Sequence, residues 1–218
     1  MNINTMKHIH PCRDDNGDEV IIHCPSTPSP IEAFADPQRI AAVVPGGKTP
    51  SELNGIPLMA WASVPGSLAE WAQVPGQAAI DEPPMKPQPG RKLSAGVVTV
   101  EQDGRFWVVS PTNAFGGYKA TFPKGTLDPG IPPQAAAIKE AFEESGLQIE
   151  IIGWIGDFER STSVTRYYFA RRLNGNPAAM DWESQCVMLV PQDKLFTVLD
   201  HPNDKPLIAA VLTKLAAV

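Results

Sequence analysis

From residue 91 onward the apolar positions fall into short runs that stop and restart at turn residues. Residues 96–100 and 106–109 are two such runs, rich in Val with Phe106 and Trp107, joined across Asp103-Gly104. Their composition and spacing predict two successive strands. A Gly-rich connection over residues 111–120 leads into "TFPKGTLDPG". Over residues 133–145 the period then changes from strand-like to helical: Ile138, Ala141, Phe142 and Ser145 share one face. Pro132 or Pro133 suits the first helical position and Gly146 suits the end. Apolar runs return at 149–155 and 165–170, a turn is expected at 174–177 and a strand at 186–190. A final helix is expected from about Pro206. Strands, one central helix, more strands and a last helix predict an α/β or α+β sandwich with a mixed sheet.

The first 90 residues follow a different pattern. Of 23 prolines, 13 lie between Pro25 and Pro89. "WASVPG" at Trp61 and "WAQVPG" at Trp71 repeat once, too few copies for a solenoid. Trp61, Trp71, Leu53, Leu58 and Leu68 give the segment more apolar anchors than a disordered tail carries. Residues 1–90 are therefore expected to be an irregular, Pro-rich extension. It would pack on a domain at 91–218 as a lid, or form a dimer arm. Helical turns are expected at Thr49-Pro50 and after Ser67, where a capping residue stands. The tryptophans, including Trp107 and Trp154, read as packing anchors. Near the N-terminus, Asn16-Gly17 predicts a hairpin. On it His8, His10 and Cys12 would share a face, with His23 or Cys24 across the turn. These are zinc-type donors, but the spacing matches no zinc motif and Pro11 disturbs the strand. An incidental cluster is the expectation.

Charge narrows the function classes. The net charge of −6 argues against non-specific nucleic-acid binding. Residues 1–90 hold 5 basic and 10 acidic side chains, residues 91–218 hold 13 and 14, so a basic pocket beside an acidic cluster is feasible only in the second part. No run of eighteen apolar residues predicts a membrane span, and residues 1–10 lack the layout of a secretory signal. Three cysteines do not make a disulfide framework. A cytoplasmic protein is the expectation.

The predicted central helix carries Glu140, Glu143 and Glu144 at i, i+3 and i+4, so their carboxylates meet on one face. Like charges so placed cost roughly 0.2–0.5 kcal/mol per pair, and no basic residue follows four positions later. A solvated acidic face is the plain reading. A hard divalent cation held by oxygen ligands is the functional one.

Gly125 stands fifteen residues before Glu140. Gly125, Glu140, Ala141, Glu143, Glu144, Gly146 and Leu147 together resemble the Nudix box: Gly, five residues, Glu, seven residues, then Arg-Glu-aliphatic-any-Glu-Glu-any-Gly-aliphatic. The resemblance extends over roughly residues 91–218. The "PKG" and "DPG" turns look like those of members acting on dinucleoside polyphosphates, inositol pyrophosphates or nucleotides. Two positions depart. Ile131 stands in place of glutamate and Lys139 in place of arginine, the two side chains that help organise loop and helix in the family. Both ends of that pair are lost together, so no lone charge is left. Lys139 keeps a donor without the planar fork of arginine, and Asp128 could substitute only in part.

The resemblance implies an α/β/α sandwich with a mixed sheet. It implies a hydrolase that cleaves the pyrophosphate linkage of a nucleoside diphosphate-linked substrate with Mg²⁺ or Mn²⁺, commonly as a homodimer. It implies metal ligation by Glu143, Glu144 and Glu140, the last being alternatively the residue that handles the water proton. The backbone carbonyl of Lys124 and the downstream Glu183 complete the ligand candidates, and Gly125 and Lys139 shape the site. The general base stays open. Lys119, Lys124, Arg160 and Arg166 are candidates for phosphate. Of Tyr167 and Tyr168, adjacent on a strand, one faces each side and one could stack on a base. The alternative reading is a catalytically weak or inactive domain that senses a nucleotide, motivated by Ile131 and Lys139.

Overall fold

The computed structural model describes residues 7–217. The chain opens with a hairpin, β1 (His8–Arg13) and β2 (Glu19–Ile22). Then come β3 (Ala41–Val43), a small hairpin of β4 (Glu52–Leu53) and β5 (Ile56–Pro57), and a short helix α1 (Leu68–Ala72). The regular part runs β6 (Lys92–Val100), β7 (Phe106–Pro111), β8 (Lys124–Thr126), α2 (Pro133–Ser145), β9 (Leu147–Glu159), β10 (Ser163–Gly175), β11 (Ser184–Val190), α3 (Leu195–Val198) and α4 (Lys205–Leu215). Among the described residues no helix is long and apolar enough to cross a membrane.

One mixed sheet of seven strands, ordered β3-β11-β7-β6-β10-β9 with β8 also beside β6, forms the middle layer. Only β6 and β10 run parallel; the other pairs are antiparallel. Alternation along the strands divides the apolar residues between two faces. Ala95, Val97, Trp107 and Tyr168 pack with Ile138 and Ala141 of α2 on one face. Val98, Phe106, Val108 and Tyr167 pack with Leu207, Ile208 and Val211 of α4 on the other. The fold is a mixed α/β sandwich with a helix layer on each side.

Helix α2 occupies the residues the periodicity predicts. Pro133 opens it, and Gly146 closes it with φ 67° and its amide on the Phe142 carbonyl at 2.7 Å. A side chain at Gly146 would place its Cβ 2.1 Å from the Asn176 carbonyl oxygen, so only glycine permits this exit. Strands β9 and β10 run several residues past their apolar runs. The end of β10 carries Arg172, and Arg166 lies within its apolar run; burial in ion pairs makes both compatible with the interior.

The Pro-rich extension lies on the sandwich at many points. Strand β3 pairs with β11 and widens the sheet. Arg105, 1 % exposed, donates to the carbonyls of Ala33, Phe34 and Asp36. Arg172 donates to the carbonyls of Leu53 and Pro57, each at 2.9 Å. The turn expected at Thr49-Pro50 is not helical. The chain instead reverses at Asn54-Gly55, both at positive φ, between β4 and β5. Ser67 does cap α1, accepting from the Glu70 amide at 3.3 Å.

The hairpin at Asn16-Gly17 forms, with a register shift around Pro11. His10 is buried and bonds the Ser184 carbonyl at 3.0 Å while its other ring nitrogen accepts from the Cys12 amide. His8 and Cys24 are exposed. His10 thus serves the fold. Among the described residues no group of three or more His, Cys, Asp or Glu side chains is arranged to hold a metal ion. The Asn113 side chain fastens the hairpin's exit, donating to the Ile21 carbonyl and accepting from the His23 amide, each at 2.8 Å.

Candidate active site

The loop carrying Gly125 and the helix carrying the three glutamates meet through β8. Residue pairs Ala95↔Gly125 and Gly96↔Lys124 align β8 with β6. The flanking bonds, from the Val97 amide to the Pro123 carbonyl and from the Leu127 amide to the Leu93 carbonyl, show that Lys124 turns its own amide and carbonyl away from β6. That amide donates to Oε2 of Glu144 at 3.0 Å. The Lys124 carbonyl faces the same side. Gly125 brings the backbone against Glu140, where an added Cβ would lie 2.1 Å from Oε1. Glu140 and Glu144 are each 8 % exposed.

Glu143 is half-buried, and Lys139 donates to it at 2.8 Å while lying 3.6 Å from Asp128. The counter-charge absent at i+4 is thus supplied four residues before Glu143. Asp128 joins it, and Ile131, 7 % exposed, fills the apolar side of the loop. Glu183 sits at the exposed rim, and its carbonyl accepts from the Thr112 amide at 2.8 Å.

Desolvation raises the carboxyls of the four glutamates, Glu183 included although it lies at the rim. Glu140 is pushed well up by desolvation and then by Glu144 and Glu143. Glu143 is raised by desolvation, with Lys139 opposing. Glu183 is raised by desolvation, then by Asp15 and Glu143. Glu144 is raised by desolvation to about 8, against the pull of Lys124. These carboxyls hold protons in the folded chain at pH values where the unfolded chain has released them. The stability they contribute is full below about pH 4.5 and is lost as pH rises through about 8. The urea midpoint of metal-free protein is expected to fall over that window, by on the order of a few kcal/mol in stability. Mg²⁺ is expected to reverse the fall, because it favours the ionised carboxylates. A midpoint that stays level from pH 5 to 8.5 without metal would contradict this.

The donor types suit a hard divalent cation, but among the described residues no three such side chains already converge on one point, so ligation needs the glutamates to draw together. The site offers carboxylate oxygens and one outward-turned carbonyl around a glycine that leaves room for Glu140. Lys139 engages Oε2 of Glu143, and Oε1 is the oxygen left for a cation.

The expected substrate contacts divide. Lys124 stays at the site, its ammonium 5.5 Å from the centre of the Tyr118 ring. Lys119 is exposed and pairs with Asp200 at 2.7 Å. The other four are turned inward. Arg160 is 4 % exposed, bonded to Asp204 at 2.5 Å and to the Tyr167 hydroxyl at 2.8 Å. Arg166 is 2 % exposed and pairs with Asp157 and Glu82. The Tyr168 hydroxyl donates to Glu82 at 2.6 Å. Tyr167 and Tyr168 do face opposite sides, but each is fully buried, so neither offers a ring face to a base. The positive charge expected of a phosphate pocket is largely spent on internal pairs.

A contact without a local sequence signal is the stack of Tyr118 on His201, with ring centres 4.0 Å apart. Asn203 donates to the Tyr118 hydroxyl at 3.0 Å. The partners lie more than eighty residues apart, so no motif announces them. A cleft of about 320 Å³ lies nearby, lined by His23, Cys24, Asn113, Lys119 and Gln185.

The arrangement of glycine bend, carboxylate helix and mixed sheet matches a known family. The family model of the NUDIX domain matches residues 90–211, more than half of the chain, and the protein belongs to that family. It is similar to the RNA pyrophosphohydrolase of Vibrio cholerae serotype O1, 30 % identical over 108 residues, 49 % of this chain and 55 % of that protein. The RNA pyrophosphohydrolase of Caulobacter vibrioides is 30 % identical over 99 residues, covering 44 % of this chain and 54 % of that protein. The match thus spans about half the length of these curated relatives. Among solved structures, a C. elegans Ap4A hydrolase in a binary complex superposes with a TM-score of 0.49 at 21 % identity, over 57 % of this chain and 99 % of that one.

Proposed function

We propose that the protein is a divalent-metal-dependent hydrolase that cleaves the pyrophosphate linkage of a nucleoside diphosphate-linked substrate. The observation that carries this reading is the pair of buried carboxylates, Glu140 and Glu144, held against Gly125 and the Lys124 amide. Two such groups lying 8 % exposed with only one backbone donor between them are costly as ions unless a cation joins them, and without one they keep their protons. When bound, Mg²⁺ or Mn²⁺ would neutralise the phosphate oxygens and lower the pKa of a coordinated water. Glu140, Glu143, Glu144 and the Lys124 carbonyl would hold it, with Glu183 at the rim. The chain's own contribution is orientation: Lys124 fixes Glu144 through its amide, and Lys139 with Asp128 holds Glu143 in place. The Lys124 ammonium, whose charge acts on Glu144, is the cation proposed to meet a phosphate. Names of similar proteins support phosphoric anhydrides as the bond class.

A panel of diadenosine tetraphosphate, ADP-ribose, a nucleotide sugar, a nucleoside triphosphate and 5′-triphosphorylated RNA, assayed for phosphate or nucleotide release with Mg²⁺ and with Mn²⁺, tests the proposal. Turnover of at least one is expected. The engagement of Glu143 by Lys139 and the apolar Ile131 favour a second reading, a nucleotide-binding module with little turnover. Tight binding of a panel member without its hydrolysis would select that reading.

A further inference from the structure

The Pro-rich extension touches the carboxylate-bearing helix at both ends. At the C-terminal half, Trp61 packs edge-on against Phe142 with ring centres 5.5 Å apart and against Trp71 at 5.8 Å, and Trp71 lies 6.1 Å from Phe142. Phe142 stands directly before Glu143 and Glu144. At the N-terminal end α2 has no capping side chain. Instead Gln134 accepts from the Ala78 amide at 2.7 Å and donates to the Ala78 carbonyl at 3.1 Å and to Glu82 at 3.2 Å. The segment is anchored in turn on the sheet. Glu82 accepts from Arg166 at 3.0 Å and from the Tyr168 hydroxyl at 2.6 Å, and the Gly76 carbonyl accepts from the Ile151 amide at 2.8 Å. At Gly76, φ is 100° and an added Cβ would lie 2.7 Å from the Ile149 carbonyl, so the crossing is close and fixed.

We propose that residues 61–82 are a brace that sets the position of α2, with Trp61, Trp71 and Glu82 acting as positioning residues for Glu140, Glu143 and Glu144. The proposal rests on reading those glutamates as ligands. A helix of thirteen residues does not hold itself in place; its packing does. The sheet fixes the inner face of α2 through Ile138 and Ala141, and the Asp181 amide holds its C-terminal turn through the Glu143 carbonyl at 2.8 Å, so rotation and slide remain to be stopped on the outward side. The aromatic trio and the Gln134–Ala78 pair block both movements from outside. Carboxylates that share a cation must be held to within about 0.5 Å, so slack in this brace reaches the site directly. The two "W-A-x-V-P-G" repeats, otherwise without a role, supply its two tryptophans.

The test compares wild type, the double variant Trp61→Ala/Glu82→Gln and the conservative Trp61→Phe. None of these residues belongs to the ligand set. Mn²⁺ affinity is read by titration calorimetry, and amide hydrogen exchange is followed by mass spectrometry on metal-free protein. The double variant is expected to bind Mn²⁺ about tenfold or more weakly. Its exchange should quicken about tenfold over residues 134–146, with β6, β7 and β11 unchanged, and the single variant Trp61→Phe should match wild type in both. Exchange and affinity within twofold of wild type in the double variant would overturn the proposal. So would protection lost evenly across helix and sheet, which would make the segment ordinary core. If wild type bound no Mn²⁺, the ligand reading would fail, and the exchange data would still decide whether the brace exists.

Discussion

Glu144→Gln is expected to lower kcat on any cleaved panel member by at least about a hundredfold, equivalent to about 2.7 kcal/mol of transition-state stabilisation. The substitution keeps the shape and an acceptor oxygen for the Lys124 amide, so the fold around β8 should persist. It removes the charge that a divalent ion needs, from a position where burial makes that charge count most. Two accompanying measurements separate this from unfolding. Mn²⁺ binding should weaken together with kcat, and the metal-free variant should be no less stable than wild type at pH 8, since glutamine has no proton to lose. A variant retaining more than about a tenth of wild-type turnover would remove Glu144 from the mechanism.

The second large effect concerns stability and lies away from the site. Glu101→Ala is expected to cost about 3–5 kcal/mol, read as a drop in the urea midpoint. The Glu101 carboxylate accepts from Arg172 at 2.5 and 3.2 Å, from Trp107 at 2.7 Å and from Asn54 at 2.9 Å. Both charged side chains are out of solvent, at 1 % and 0 % exposure. Removing the acid leaves a buried guanidinium facing only backbone carbonyls of residues 53–57. Arg172→Met added to Glu101→Ala should recover part of the loss, because it takes away the stranded charge. Protease sensitivity should rise first at β4–β5, which this network fastens. A loss below about 1 kcal/mol would show that water reaches Arg172.

The regular half of the fold was legible because its periodicities are strong. Helix α2 is readable to the residue from Pro133, Gly146 and the spacing of Ile138 and Ala141. The loop–helix chemistry was legible for a related reason: Gly125 and the three glutamates form a local pattern, and local patterns survive in one dimension. What escaped was long-range. Arg160 and Arg166 read as candidates for phosphate, yet each is buried against an acid that lies far off in sequence, Asp204 and Glu82, and nothing local marks Arg172 as the partner of Glu101. Proline density in the extension hid the Glu52–Pro57 hairpin, whose Asn54-Gly55 turn carries the signal. Lys139 was visible as a departure from the family pattern, but its hold on both Asp128 and Glu143 depends on how the loop folds back.

Strand β3 brings a last consequence. It contributes only three residues, Ala41–Val43, but it lies against β11 at what would otherwise be a bare flank of the sheet. A chain trimmed to residues 90–218 would leave the outer side of β11 unsatisfied, with Val187 and Leu189 stripped of cover. Such a strand recruits other strands, so the shortened protein would tend to self-associate through it. The extension is thus also a guard against edge-to-edge joining of one sheet to the next.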